Sequence, residues 1–129
     1  MKNTLTILAL YLFSIWIQSE EIYAQQSDID INSDADFNHA LKLFNSKSYA
    51  AAQNYFREVA ERTRNNTNLK ADAHYYDAIC AIRLNLKDAD KQVLSFVNAY
   101  PNSNKKDKAY FNVGNYYFAN KKSAHALKW

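Results

Sequence analysis

Glycine, proline and cysteine occur once each among the 129 residues, as Gly114, Pro101 and Cys80. A phosphate-cradling loop needs several glycines, because only a residue without Cβ lets the backbone close on the anion, so the usual nucleotide-binding turns are excluded. All-β folds need turn punctuation every few residues, and with so little of it helices are the default. One cysteine forms no intrachain disulfide, and Cys80 lies in the apolar stretch 78–82, where it reads as a small buried residue. His39, His74 and His125 fall on three separate helical stretches without an HExxH-like pairing, so metal-ligand spacing is missing. Glu58 and Glu61 stand beside Arg57 and Arg62, a pattern of exposed ion pairing rather than of a general acid and base. No catalytic residue, metal or cofactor is expected, and the chain does not read as an enzyme.

Long hydrophobic runs are also scarce. The longest, 5–17, has 13 residues, short of the roughly 20 that a spanning helix needs. With Lys2 before it and Ile22-Tyr23-Ala24 after it, residues 1–24 read as a secretory signal peptide, and an uncleaved anchor is the alternative. No cysteine stands near the cleavage point to take a lipid. Residues 25–36 carry Asp28, Asp30, Asp34 and Asp36 with no Lys or Arg, an acidic leader expected to stay disordered. From Phe37 onward 15 basic residues face 7 acidic ones, a net of +8. Export argues against nucleic acid as the partner. The lysines gather in 105–108 and 121–122, which reads as solubilising turns or as a basic face toward a membrane.

Aromatics are plentiful: ten Tyr and seven Phe, spaced as helix cores rather than among clustered cations as a base-stacking platform. Ser33 and Asp36 form a capping pattern before a helix over about 35–46, with Phe37, Ala40, Leu41, Leu43 and Phe44 on its apolar stripe. After the turn 45–48, Ser48 is placed to cap a second helix holding Ala52, Tyr55, Phe56, Val59 and Ala60, which ends in the polar run 62–68. A third begins near Leu69. Asp88 is placed to cap a fourth, which Pro101 stops because it cannot continue the hydrogen-bond ladder. Ser103 opens a fifth, carrying Ala109, Tyr110, Val113, Gly114 and Tyr117, and a sixth begins at Ser123.

Ala52, Ala89 and Ala126 recur every 37 residues, each near the start of a second helix, a period that marks stacked helix pairs. Gly114, Tyr117 and Ala126, with Ala40, Leu43, Ala52 and Phe56, resemble the tetratricopeptide repeat family. That family pairs a small residue and a following aromatic in one helix with an alanine in the next. The second pair departs from the pattern, since Ala78 and Ala89 are one residue closer than their counterparts. Tyr100-Pro101-Asn102-Ser103 followed by Ala109-Tyr110 and Gly114 is similar to the envelope branch of the family, found in barrel-assembly lipoproteins and Tol-Pal-associated proteins of Gram-negative bacteria.

The resemblance implies an all-α, right-handed superhelical stack of antiparallel helix pairs. It spans about two and a half repeats (37–68, 69–102 and an incomplete 103–129). The apolar residue four past Ala126 would be residue 130, so the sequence reads as a fragment of a longer chain. It further implies an exported scaffold at the periplasm or outer-membrane periphery, holding a peptide or partner helix in a concave groove, with neither nucleic acid nor a small-molecule substrate. Alternatives are the targeting module of an enzyme whose catalytic domain lies beyond 129, and a membrane-surface assembly factor. The groove residues implied are Tyr75, Arg83, Lys108, Phe111 and Asn115. Their neighbours Tyr76, Tyr110 and Val113 are expected to take the packing. Phe37, Leu41, Ile79 and Phe118 serve equally as groove or as inter-repeat core.

Overall fold

The computed structural model describes residues 32–64, 67–120 and 126–127, and among them there are helices and turns but no strand. Helix α1 covers 32–45, α2 Tyr49–Arg62, α3 Thr67–Arg83, α4 Ala89–Ala99 and α5 Lys106–Ala119. The expected signal peptide and the helix expected from Ser123 lie outside the described residues, apart from Ala126 and Leu127. So does the acidic leader up to residue 31. Its last part does not form a disordered tail: residues 32–36 are helical, with Ser33 buried and Asp36 paired with Arg62 of α2. No helix of the described residues is long and apolar enough to cross a membrane.

The turns explain why one glycine suffices. At the end of α1, Lys47 N–H donates to the Phe44 carbonyl and Ser48 N–H to the Leu43 carbonyl, with Lys47 at φ 63°. At the end of α3, Asn85 N–H donates to Ile82 and Leu86 N–H to Ala81, with Asn85 at φ 57°. Both are the paired 6→1 and 5→2 closure whose pivot must be left-handed, where glycine is the usual choice and asparagine the next. Lysine at that pivot crowds its Cβ against the following carbonyl. Ala40 precedes Lys47 by seven residues, as Ala78 precedes Asn85. The missing residue of the second pair therefore lies after the pivot, and α4 begins at Ala89 itself, whereas α2 begins three residues before Ala52.

Neither Ser48 nor Asp88 makes a side-chain cap hydrogen bond. Ser48 Oγ accepts from Ser46 Oγ at 3.3 Å instead of from its own helix, and the Asp88 carboxylate pairs with Lys91 at 2.8 Å. Ser103 Oγ accepts from Lys105 N–H at 3.2 Å, one turn before α5 starts. Ser33 sits within α1 rather than at its start. Arg57 and Arg62 reach other helices, Arg57 to Asp77 of α3 at 3.4 Å and Arg62 to Asp36 of α1, instead of pairing with Glu58 and Glu61.

Alanine sets the spacing of the core. Ala40, Ala52, Ala73, Ala81, Ala89 and Ala109 are fully buried, so helices meet with little between their backbones. Helix α3 is the centre: Ala71, Ala73, Tyr75, Ala78, Ile79, Cys80, Ala81 and Ile82 are buried around it, and it packs against α2, α4 and α5. It also meets α1, since Phe37 and Phe44 set their ring edges on Tyr76 with centroids 5.9 and 5.3 Å apart, and Tyr76 stacks on Phe56 at 5.0 Å. Burial pushes the Cys80 thiol up to about 12, so it stays protonated and unreactive.

Helices α3 and α5 run parallel. Lys105 at the start of α5 lies 3.8 Å from Asp72, and Asn120 after its end donates to Asn85 at 3.4 Å. Tyr117 of α5 donates to Asp90 at the start of α4 at 2.5 Å, which fixes α5 against the opposite end of its neighbour. That bond to a carboxylate, with burial added, pushes the phenol up to about 12.

Candidate partner-binding face

One turn of α5 after another places Lys108, Phe111, Asn115 and Phe118 on the same side, at spacings of three, four and three residues. All four are exposed, Phe111 to 70% and Phe118 to 71%, in contrast with Val113 and Tyr117 on the buried side. Beside this stripe an open groove of about 400 Å³ is lined by Asp107, Tyr110, Phe111, Gly114 and Asn115, all from α5. Gly114 leaves the groove its depth, because any Cβ there would enter it. Among the described residues neither phenylalanine has a ring partner and Lys108 has no ion pair. The groove supplies the rings of Tyr110 and Phe111, the Asn115 carboxamide and the Asp107 carboxylate, with Lys108 on the stripe beside it, a set that recognises a side chain with an apolar body.

The corresponding stripes on the earlier helices are covered. Seventy-four residues before Phe111 and Phe118 stand Phe37 and Phe44, with Leu41 in the place of Asn115; all three are half-buried and face α2 and α3. Thirty-six residues before them stand Tyr75 and Ile82, with Ile79 between, exposed to only 7%, 8% and 2%. These three share one core cluster with Ala109, Val113 and Tyr117 of α5 and with Phe96 of α4, whose ring lies 5.6 Å from that of Tyr75.

This corrects the place given to Tyr75. The reading that Tyr76 packs and leaves Tyr75 open fails because both rings pack, Tyr76 backward on α1 and α2 and Tyr75 forward on α4, with burial raising the Tyr75 phenol. Helix α3 packs against α2, α4 and α5, and this stripe of it closes against α4 and α5. Arg83 is exposed at the last residue of α3, one position out of phase with Ile82, and lines no part of the α5 groove. Three of the five expected residues, Lys108, Phe111 and Asn115, therefore share a face, and Phe118, left open between groove and core, joins them there.

Sequence reasoning passed over a second open surface. A cleft of about 510 Å³ lies between the start of α3 and the loop 100–105, and one of about 160 Å³ lies between α3 and α4, with Tyr100 lining both. The Tyr100 ring lies 5.5 Å from His74, whose ordinary value burial lowers despite Asp77 nearby. The only sequence signal was the polar run Asn102-Ser103-Asn104, read there as a boundary. Among the described residues no cluster of three or more His, Cys, Asp or Glu is placed to hold a metal ion. No protein-family model, no curated protein and no solved structure matches the chain.

Proposed function

We propose that the protein is an exported interaction scaffold of tetratricopeptide-repeat type, which holds a peptide or helix of a partner protein in a bacterial envelope. The carrying observation is the pair Phe111 and Phe118, exposed to 70% and 71% on one helix face beside a groove. Exposed large rings in line are uncommon on a surface with no partner, and buried aromatic anchors dominate protein interfaces. The internal order of packing supports the repeat reading: α1 and α2, α3 and α4, then α5, with each first helix meeting the next and fully buried alanines at Ala52 and Ala89. The leader of 1–24 supports export on sequence grounds.

The test is capture from periplasmic and outer-membrane fractions with the full chain and with its F111A/F118A variant. A protein recovered by the first and lost with the second is the expected result. Equal recovery by both removes the α5 face from the proposal, and recovery of nothing by either defeats the scaffold.

A further inference from the structure

We propose that the α5 face receives a single helix from a partner chain, docked as α3 docks on α1, so that the helix stack is continued in trans. The inference rests on the α5 face being a binding face and adds what occupies it. The molecule itself displays the occupant's chemistry. Phe37 and Phe44, the positions equivalent to Phe111 and Phe118, rest on Phe56 of α2 on one side and on the other are closed by one ring of α3, Tyr76, whose centroid lies 5.9 and 5.3 Å from theirs. Tyr76 arrives on a face of α3 that is otherwise small: Ala73 four residues away from Leu69, and Cys80 four beyond Tyr76, both fully buried against α1 and α2. A helix with the order apolar, small, aromatic, small at spacings of four, three and four therefore fits two phenylalanines one heptad apart.

Charge adds a preference. Where α5 meets α3, Lys105 lies 3.8 Å from Asp72, and the residue of α5 equivalent to Asp72 is Lys108. The sign is reversed, so the incoming helix carries an acid in the place that Lys105 holds, one heptad before the position equivalent to Tyr76. In the sequence of α3 that place is Leu69.

The probe follows directly: a synthetic peptide with the sequence of residues 67–83, Cys80 replaced by Ala, titrated into the isotope-labelled full chain. Amide shifts confined to α5 between Lys108 and Phe118 are expected, with binding weakened at least tenfold by Tyr76→Ala in the peptide and by F111A/F118A in the protein. Leu69→Glu in the peptide should tighten binding a few-fold at low salt, and Lys108→Ala in the protein should cancel that gain. Both phenylalanines are exposed, so the protein variants are expected to fold, and unchanged far-ultraviolet circular dichroism checks it.

No shifts at millimolar peptide, shifts indifferent to Phe111 and Phe118, or tighter binding of a proline-broken version of the peptide would each overturn the inference, the last in favour of an extended occupant. A dimer of the full chain that F111A/F118A dissolves, with no peptide binding, would overturn it in favour of a second copy. If fraction capture depends on the two phenylalanines while the helical peptide fails, the scaffold stands and the helix falls.

Discussion

Phe37 and Phe44 on α1 and Phe111 and Phe118 on α5 are the same side chain at the same seven-residue spacing, separated by 74 positions, and they meet opposite environments. The first pair closes on Tyr76 and Phe56; the second stands open. Helical phase is therefore not what buries a ring in this molecule. A following helix does it, and among the described residues none follows α5 on that face. The same stripe is packed on α1 and α3 and exposed on α5.

The largest test of that contrast is Phe56→Ala, which removes the fully buried ring on which both α1 phenylalanines rest. We expect a loss of about 3–5 kcal/mol, against about 0.5 kcal/mol or less for Phe111→Ala and Phe118→Ala. Denaturant unfolding of the three variants measures it, and similar losses would erase the distinction.

Next in size are the small residues four positions before Phe44, Ile82 and Phe118 on the three first helices. Ala40→Leu and Ala78→Leu overpack sites exposed to 0% and 2%, for an expected cost of about 1–3 kcal/mol each. Gly114→Leu at the equivalent place should cost less than half as much, because Gly114 is half-exposed in the α5 groove and leucine favours helix. Thermal melts decide, and a Gly114 cost equal to that of Ala40 would place a helix crossing there.

Lys47→Gly should stabilise by about 1 kcal/mol, since glycine holds the left-handed pivot without crowding. Asn120→Gly, at φ −85° after α5, should bring no gain. Tyr117→Phe tests the covered side of α5 and should cost about 1 kcal/mol near neutral pH through the lost bond to Asp90. The Tyr117 phenol is pushed from 10.0 up to about 12 in the folded chain, so its contribution is complete below pH 10 and is lost as pH rises through 12. Melts across that window should slope down in the wild type and less so in the phenylalanine variant.

The smallest effect is at His74, whose lowered value favours the neutral ring in the fold. Its contribution is present above 6.5 and declines as pH falls through the folded value, and His74→Gln should flatten stability between pH 7 and 5.

Local sequence carried the helices. The 37-residue recurrence of alanine, the breaks at 45–48 and 85–87, and Pro101 after Tyr100 placed five helical stretches close to where they lie, because burial periodicity and backbone chemistry act within a few residues. The caps were misplaced for a related reason. Ser48 and Asp88 have the right chemistry, but a serine hydroxyl two residues away and a lysine ammonium three residues away compete for the same oxygens. Phe111 and Asn115 were legible as surface because they lie opposite Val113 and Tyr117. The status of Tyr75 was not legible, since Tyr75 and Tyr76 are adjacent rings pointing to different neighbours, and sequence says nothing of which neighbours are there.

What the sequence determined by itself is the all-helical class, the spacing of the pairs and the alanines that let them approach, all set by local propensity and by period. Only the tertiary structure decided which equivalent stripe is core and which is face, and that Lys47 and Asn85 turn the chain where glycine is missing. It also decided that Arg57 and Arg62 bind across helices. The two turns close on carbonyls three to five residues back, but the stripes and the arginine pairs depend on what stands some twenty to forty residues away, and burial is a property of the neighbour as much as of the side chain.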